Sequence, residues 1–147
     1  MPHERHYRSV LALCLVLAGC QSGKSISTTI AVQFSGSEHT SVDLASAVPG
    51  NWDRVCILGP YSDDAAAAQT LGFKWPAETL TDIEFNDGIS LLVFVRDRTV
   101  VNYVEHPRRS GDFTNLSGRC FPRTSTRFLQ VAHPAKGWAG LFPADES

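Results

Sequence analysis

The 147-residue chain lacks an excess of basic charge, a long apolar run and a high cysteine content. Its formal net charge of −2 argues against the basic surface that most nucleic-acid-binding proteins present. Four cysteines and one methionine are too few for a dense disulfide scaffold or a methionine-rich docking surface. Hydrophobic residues make up 43% and charged residues 19%, as in an ordinary globular protein. We therefore expect a folded domain that binds no nucleic acid.

The longest apolar run of the N-terminal region is Val10–Ala18, which follows a polar start containing Arg5 and Arg8. A helix needs about 20 apolar residues to cross the hydrocarbon core of a bilayer, and this run is shorter. Its length is typical of the apolar region of a signal peptide. We predict a signal peptide over residues 1–19. An ordinary cleaved signal or an uncleaved helical anchor, with a cysteine there by chance, is the alternative.

Leu17, Ala18, Gly19 and Cys20 end this run. The order of small residues before a cysteine resembles the lipobox of bacterial lipoproteins, whose cysteine receives diacylglycerol through a thioether. The resemblance implies that Cys20 is lipidated and that two or more acyl chains hold the protein stably in a membrane. In that family an aspartate after the cysteine favours the inner membrane, and Gln21 stands there instead. The resemblance therefore implies the outer membrane, with the protein facing the periplasm.

Two cysteines remain after the signal peptide and Cys20 are set aside, and these are Cys56 and Cys120. An even pair in the oxidising periplasm is more often bridged than free. We expect a disulfide that constrains the unfolded chain by about 4 kcal/mol. Two buried, reduced thiols are the alternative. Neither cysteine has histidine or cysteine partners at ligand spacing, so we expect no metal site and no cofactor.

The rest of the chain predicts a lipidated cysteine with a short tether over residues 20–25 and one domain over residues 26–147. The start and stop signals of a helix are clearest in residues 62–71. Ser62 is the expected N-cap, aspartates follow it, and Gly72 stands just past the C-terminal end. A shorter helix over residues 40–48 and a weak helical turn within residues 77–85 are also expected. The tail from His133 onward is expected to be irregular.

Five segments read as strands from their β-branched or apolar content, and they are residues 27–34, 52–58, 89–95, 99–105 and 127–132. Residues 89–95 are apolar on both faces, which predicts a central strand covered on both sides. The order predicts an α+β domain with an antiparallel sheet of about four to five strands and two or three short helices.

Charge is unevenly spread along the chain. Residues 38–95 carry nine acidic and two basic side chains, whereas residues 96–136 carry eight basic and three acidic ones. One interpretation is a positive face that binds an anionic lipid, an anionic glycan or an acidic protein. The candidate ligand residues are arginines, which fork onto carboxylates and phosphates: Arg108, Arg109, Arg119 and Arg123. The alternative is that the two halves pack together and their charges pair.

No catalytic motif is present, and we predict a protein that is not an enzyme. A hydrolytic trio of His106, Ser110 and Asp112 can be assembled on paper, but no Gly-x-Ser-x-Gly elbow supports it. A metal site at His106 and His133 likewise has no spaced ligand set. Both histidines precede proline, where the backbone is extended and typical of a loop.

Residues 52–62 and 105–113 also resemble a pattern in small envelope lipoproteins, a likeness that implies no activity. We therefore expect a lipid-anchored outer-membrane lipoprotein with a non-catalytic accessory or binding domain and an envelope protein, glycan or lipid as its partner. An inhibitor or immunity protein against a lytic enzyme or toxin is the first alternative. A small hydrolase is the second.

Overall fold

A computed structural model describes residues 23–147 of the chain. The predicted signal peptide, the lipobox and Cys20 lie outside the described residues. The first described element is helix α1, Gly23–Gly36. Its start corrects the predicted tether, because the last three residues of the 20–25 segment are already helical.

Helix α1 also overturns the strand predicted over residues 27–34. Alternation of Ile30, Val32 and Phe34 suggested a period of two, but Val32 is 63% exposed whereas the other two are buried. The period that decides the structure is four residues, since Ile26, Ile30 and Phe34 form the buried face. The hydroxyl of Thr28, in the same helix, donates to the Lys24 carbonyl, so the hydrogen bond of this polar side chain is made within the helix.

A three-stranded antiparallel sheet contains β1 (Ser41–Asp43), β6 (Arg127–Val131) and β7 (Gly140–Pro143), in the order β1-β6-β7. The helix predicted over residues 40–48 is confined to α2, Leu44–Ala47, which Asp43 caps by accepting a hydrogen bond from the Ala45 N–H. The prediction of an irregular tail is wrong at β7, which pairs with β6. Residues 119–122 form a further strand, β5, Arg119–Pro122.

A four-stranded antiparallel sheet joins β5 to β2 (Arg54–Leu58), β3 (Ile89–Arg96) and β4 (Thr99–Pro107), in the order β4-β3-β2-β5. Strand β3 is an interior strand, as its apolar faces predicted. The hairpin between β3 and β4 turns at Asp97, whose φ of 53° is a left-handed conformation that aspartate tolerates better than most residues. Strand β4 ends the sheet on one side and carries His106, which the sequence had suggested lies in a loop.

Helix α3, Asp64–Leu71, forms where the sequence predicted a helix, with one correction at its N-cap. Its N-cap is Asp63, which accepts a hydrogen bond from the Ala66 N–H, whereas the Ser62 hydroxyl donates to the Gly59 carbonyl. Gly72 ends the helix in the left-handed conformation at φ 82°, as expected of a C-terminal glycine. The predicted helical turn is α4, Ala77–Leu80.

Two apolar cores lie on the two sides of the four-stranded sheet. Helix α1 and the three-stranded sheet cover one side, where Leu92, Phe94 and Val104 are buried. Helices α3 and α4 cover the other, where Leu91, Val93 and Val95 are buried. The α+β class is thus confirmed. Within residues 23–147, seven strands in two sheets replace the single sheet of four or five strands that the sequence indicated.

The predicted disulfide is present between Cys56 and Cys120. These residues are directly opposite each other on β2 and β5, so the bridge crosses two neighbouring strands. Cys56 belongs to the core beneath α3, and the bridge therefore ties that core to the last strand of the sheet.

Candidate functional site

A groove runs along α1 beside the end of β4. It consists of two adjoining cavities of about 570 and 400 Å³ that share Ser27, Thr28 and Pro107 in their walls. Lys24 and Glu105 line the first cavity, and further charged or titratable residues line the second: His39 and Arg109. Ser27 therefore lies at the junction of the two cavities.

Beneath this junction His106 is completely buried, and both of its ring nitrogens are used. Nε2 lies 3.0 Å from the Ser110 carbonyl oxygen, and Nδ1 lies 3.0 Å from the Ser27 hydroxyl oxygen. Because a carbonyl oxygen only accepts, Nε2 carries the proton of the neutral ring. Nδ1 is then the acceptor, and the Ser27 hydroxyl donates to it. The contacts thus determine which tautomer the neutral histidine adopts.

The surroundings of His106 keep it uncharged. Burial lowers the pKa of His106 below its ordinary value of 6.5, although the hydrogen bond to the Ser110 carbonyl opposes this shift. The edge of Phe113 packs against the ring, with 5.7 Å between the ring centroids. The ring therefore links α1 to β4 as a neutral, fully hydrogen-bonded group.

The fold does not assemble the trio of His106, Ser110 and Asp112. Ser110 contributes its carbonyl rather than its hydroxyl. The Asp112 carboxylate accepts hydrogen bonds from Arg108, at 2.9 and 3.1 Å, and from the Thr114 N–H at 2.9 Å. His133 is exposed in the segment before β7. Within residues 23–147, no group of three or more His, Cys, Asp or Glu side chains is arranged to hold a metal ion.

Sequence reasoning missed Ser27 because the residue lies 79 positions from its partner His106. The hydroxyl faces the histidine only if residues 23–36 form a helix, and the sequence had indicated a strand there. A four-residue spacing of Ile26, Ile30 and Phe34 was the signal that could have revealed it.

Three of the four candidate arginines make contacts within the chain. Arg108 binds Asp112, and Arg119 binds Glu146 with nitrogen–oxygen distances of 2.7 and 3.1 Å. Arg123 donates to the Gly50 and Trp52 carbonyls, and its guanidinium lies 4.5 Å from the Trp52 ring centroid. Arg109 is exposed beside the groove. Anion binding by these arginines stays a prediction, and an anion would compete with these contacts.

Charge pairing between the acidic and basic halves is not seen among the salt bridges of the described residues. Arg54 pairs with its neighbour Asp53, Arg108 pairs with Asp112, and Arg119 pairs with an acid of the C-terminal tail. The hydrogen bonds from Arg108 and Thr114 hold the pKa of Asp112 below its ordinary value, although burial alone would raise it. Several carboxylates of the acidic half instead accept hydrogen bonds from backbone N–H groups, among them Asp43, Asp63 and Glu78.

Carboxylates of the acidic half lie close in sequence to exposed apolar side chains on the α4 side of the sheet. Phe85 is 83% exposed, Tyr61 65% and Leu80 44%. We call this surface the acidic aromatic face, and its members are Tyr61, Leu80 and Phe85 with Asp63, Glu78, Asp82, Glu84 and Asp87. Between positions 61 and 88 the chain carries six carboxylates and one lysine. Large apolar side chains in such a setting commonly mark an interaction surface.

Backbone hydrogen bonds bring the parts of this face together. The Tyr61 N–H donates to the Ile83 carbonyl at 2.8 Å, and the Asp82 N–H donates to the Glu105 carboxylate. Ile83 is fully buried in the core beneath α3, which fixes the turn that presents Phe85. Tyr61 has a φ of 66°, a left-handed conformation that costs a non-glycine residue about 1 kcal/mol.

Like charges are crowded on this face. The Asp64 N–H lowers the pKa of Glu78 by hydrogen bonding to its carboxylate. Desolvation and the negative charges of Asp64 and Glu84 outweigh that effect, and the pKa of Glu78 is raised overall. A positively charged group placed here would relieve this repulsion.

With this geometry described, comparison with known proteins gives no relative: no family model, curated protein or solved structure matches the chain. None of the helices in residues 23–147 is both long and apolar enough to span a bilayer.

Proposed function

We propose that the chain is a lipid-anchored lipoprotein of the outer membrane, with a non-catalytic binding domain on the periplasmic side. The observation that carries this proposal is the Leu17-Ala18-Gly19-Cys20 sequence at the end of the N-terminal apolar run. Removal of the predicted signal peptide, residues 1–19, would leave every described element intact, because the first of them, α1, begins at Gly23.

The Cys56–Cys120 bridge supports a periplasmic location. Disulfides persist in the periplasm and are rare in the reducing cytosol. The bridge joins directly paired residues of two strands and so requires no rearrangement of the sheet to form.

The contacts of His106 support a binding role rather than catalysis. Both ring nitrogens are used to hold α1 and the Ser110 turn against β4, and the ring is completely buried. A general base needs its imidazole within reach of the substrate and, in serine hydrolases, oriented by a carboxylate. Asp112, the carboxylate that the sequence suggested, binds Arg108 instead.

Metabolic labelling with a fatty-acid analogue tests the anchor. We expect the wild-type chain to be labelled and to fractionate with outer membranes, and Cys20→Ala to lose both properties. Cys14→Ala is the matched control, because this cysteine lies within the predicted signal peptide and should leave labelling unchanged. Equal labelling of wild type and Cys20→Ala would overturn the proposal.

An inhibitor or immunity protein is the second candidate, and the acidic aromatic face favours it. An exposed aromatic residue such as Phe85 can serve as the anchor of a protein–protein interface, where a few large side chains carry most of the binding energy. Inhibition of a lytic enzyme by the purified domain, lost in Phe85→Ser and kept in Trp138→Ser, would distinguish this role from a passive accessory one. Trp138 suits the control because it is an exposed aromatic residue of the C-terminal tail.

A further inference from the structure

We propose that the acidic aromatic face is the docking surface for a basic protein, which receives Phe85 in an apolar pocket and surrounds it with lysine or arginine side chains. This inference deepens the proposed binding function and rests on it for the compartment. It identifies the docking surface on this chain and the sign of the charge on its partner.

A fixed turn presents Phe85 to solvent. The Phe85 N–H donates to the Asp82 carbonyl at 3.1 Å, and buried Ile83 anchors the turn between them. The next residues are also held, since the Gly88 carbonyl accepts a hydrogen bond from the Arg108 N–H. The exposed ring is therefore pre-positioned, and binding it requires little loss of conformational freedom.

Tyr61 is held on the same face by its backbone. Its φ of 66° is a conformation that a glycine would adopt without strain, and it exposes most of its ring. Its N–H donates to the Ile83 carbonyl, and this hydrogen bond holds Tyr61 next to the turn that carries Phe85. Strained backbone conformations persist where the surrounding structure holds them, and they cluster at functional sites.

The charge of this face is complementary to that of a basic partner. The carboxylates Asp82, Glu84 and Asp87 flank Phe85 in sequence, and Glu78 lies close enough to Glu84 for their charges to interact. Arg108 lies close to Asp87, so the uncompensated negative charge is that of Glu78, Asp82 and Glu84. Lysine and arginine on a partner would neutralise this group and steer the encounter. A membrane surface fits less well, because its lipid phosphates repel the same carboxylates. The observations favour a basic protein.

Photocrosslinking in intact cells tests the surface directly, using the full-length chain with benzoylphenylalanine at Phe85 or Tyr61. We expect both positions to give one protein adduct whose crosslinked peptides come from a lysine- and arginine-rich surface. Trp138→benzoylphenylalanine is the matched control and should give no such adduct. Absence of an adduct at both positions, a lipid adduct, or a partner with an acidic or neutral surface would overturn the inference.

Affinity measurements with that purified partner test the chemistry. Phe85→Ser should weaken binding about tenfold or more, because a central aromatic residue is lost. Glu84→Lys and Asp87→Lys should each weaken it several-fold and reduce its salt dependence, whereas Asp145→Lys in the C-terminal tail should have little effect. Affinity that is unchanged in Phe85→Ser, or insensitive to salt, would contradict the inference.

Vesicles of phosphatidylethanolamine and phosphatidylglycerol are the membrane probe. Tyrosine and tryptophan fluorescence of the unlipidated domain should not change on mixing, and binding that depends on Phe85 would overturn the inference. The lipid-labelling experiment separates failure of the anchor from failure of the docking surface. Loss of labelling with a surviving basic adduct removes the outer-membrane proposal alone, whereas normal labelling without an adduct removes the docking surface alone.

Discussion

The buried region beneath the groove, where His106 lies, and the acidic aromatic face lie on opposite sides of the four-stranded sheet. The polar groups of the two regions have opposite environments. Beneath the groove the His106 ring is buried and both nitrogens are hydrogen-bonded. On the other side, large apolar side chains are exposed, and carboxylates such as Asp63 and Glu78 accept hydrogen bonds only from nearby backbone N–H groups. The difference indicates that the first region maintains the fold and the second is available to a partner.

Two phenylalanines give the sharpest contrast between the regions. Phe113→Ala should lower the free energy of unfolding by about 3–5 kcal/mol, because its fully buried ring packs against Phe128 and His106. Phe85→Ala should change it by less than about 0.5 kcal/mol, because the ring is largely exposed. Urea denaturation of both variants measures the difference. A large loss for Phe85→Ala would mean that this ring serves the fold.

Removing the disulfide should affect the α3 side of the sheet, where Cys56 is buried. We expect the Cys56→Ser, Cys120→Ser double variant to lose about 4 kcal/mol, since the unfolded chain is no longer constrained. Thermal unfolding with and without reductant measures this. Reductant should destabilise the wild-type domain and leave the double variant unchanged, and a wild type indifferent to reductant would argue against the bridge.

The Ser27–His106 contact gives the next largest effect on the groove side. Ser27→Ala removes the hydroxyl that donates to Nδ1 and should cost about 1–2 kcal/mol, because a buried acceptor loses its partner. Thr28→Ala is the control, since its hydroxyl bonds only within α1. A double-mutant cycle with His106→Leu should show that the two losses are not additive. Additive losses would mean that the contact contributes nothing.

A pH profile gives the smallest effect. The pKa of His106 is lowered in the folded state, so below about pH 6.5 the unfolded chain binds a proton that the folded chain does not. Stability should therefore fall as pH drops below that value, by at most about 1.4 kcal/mol per pH unit, until the folded histidine also titrates. The pKa of Asp112 is also lowered in the folded state, and the stability that this carboxylate contributes is lost at more acidic pH.

Urea denaturation at several pH values above and below 6.5 measures this profile. His106→Gln should flatten it in that range, and Asp112→Asn should not. An equal slope in wild type and His106→Gln would show that another group titrates.

The sequence was informative where a single local signal decides the structure. Strand β3 is apolar on both faces, and α3 carries an aspartate cap and a closing glycine, so both were predictable. Helix α1 was not, because alternating and four-residue patterns coincide at Ile30 and Phe34. Strand β7 has few residues, begins with a glycine and ends with a proline, and only its pairing with β6 stabilises it.

The disulfide, the contact beneath the groove and the acidic aromatic face also differ in how far local sequence signals predict them. The Cys56–Cys120 pair was predictable because few cysteines remained to choose from. The Ser27–His106 contact joins distant parts of the chain and carries no local signal. The exposure of Phe85 was equally invisible, since burial of its neighbour Ile83 depends on the core beneath α3. Hydropathy alone would place both residues inside.

The start of α1 at Gly23 has a consequence for where the protein can act. If Cys20 is the lipidated residue, at most two residues in sequence, Gln21 and Ser22, stand between the acylated cysteine and α1. Even a fully extended chain of three residues, from Cys20 to Ser22, would reach only about 10 Å. Such an anchor would confine the domain to a thin layer at the membrane surface, and any soluble protein that it bound would be held at that surface as well.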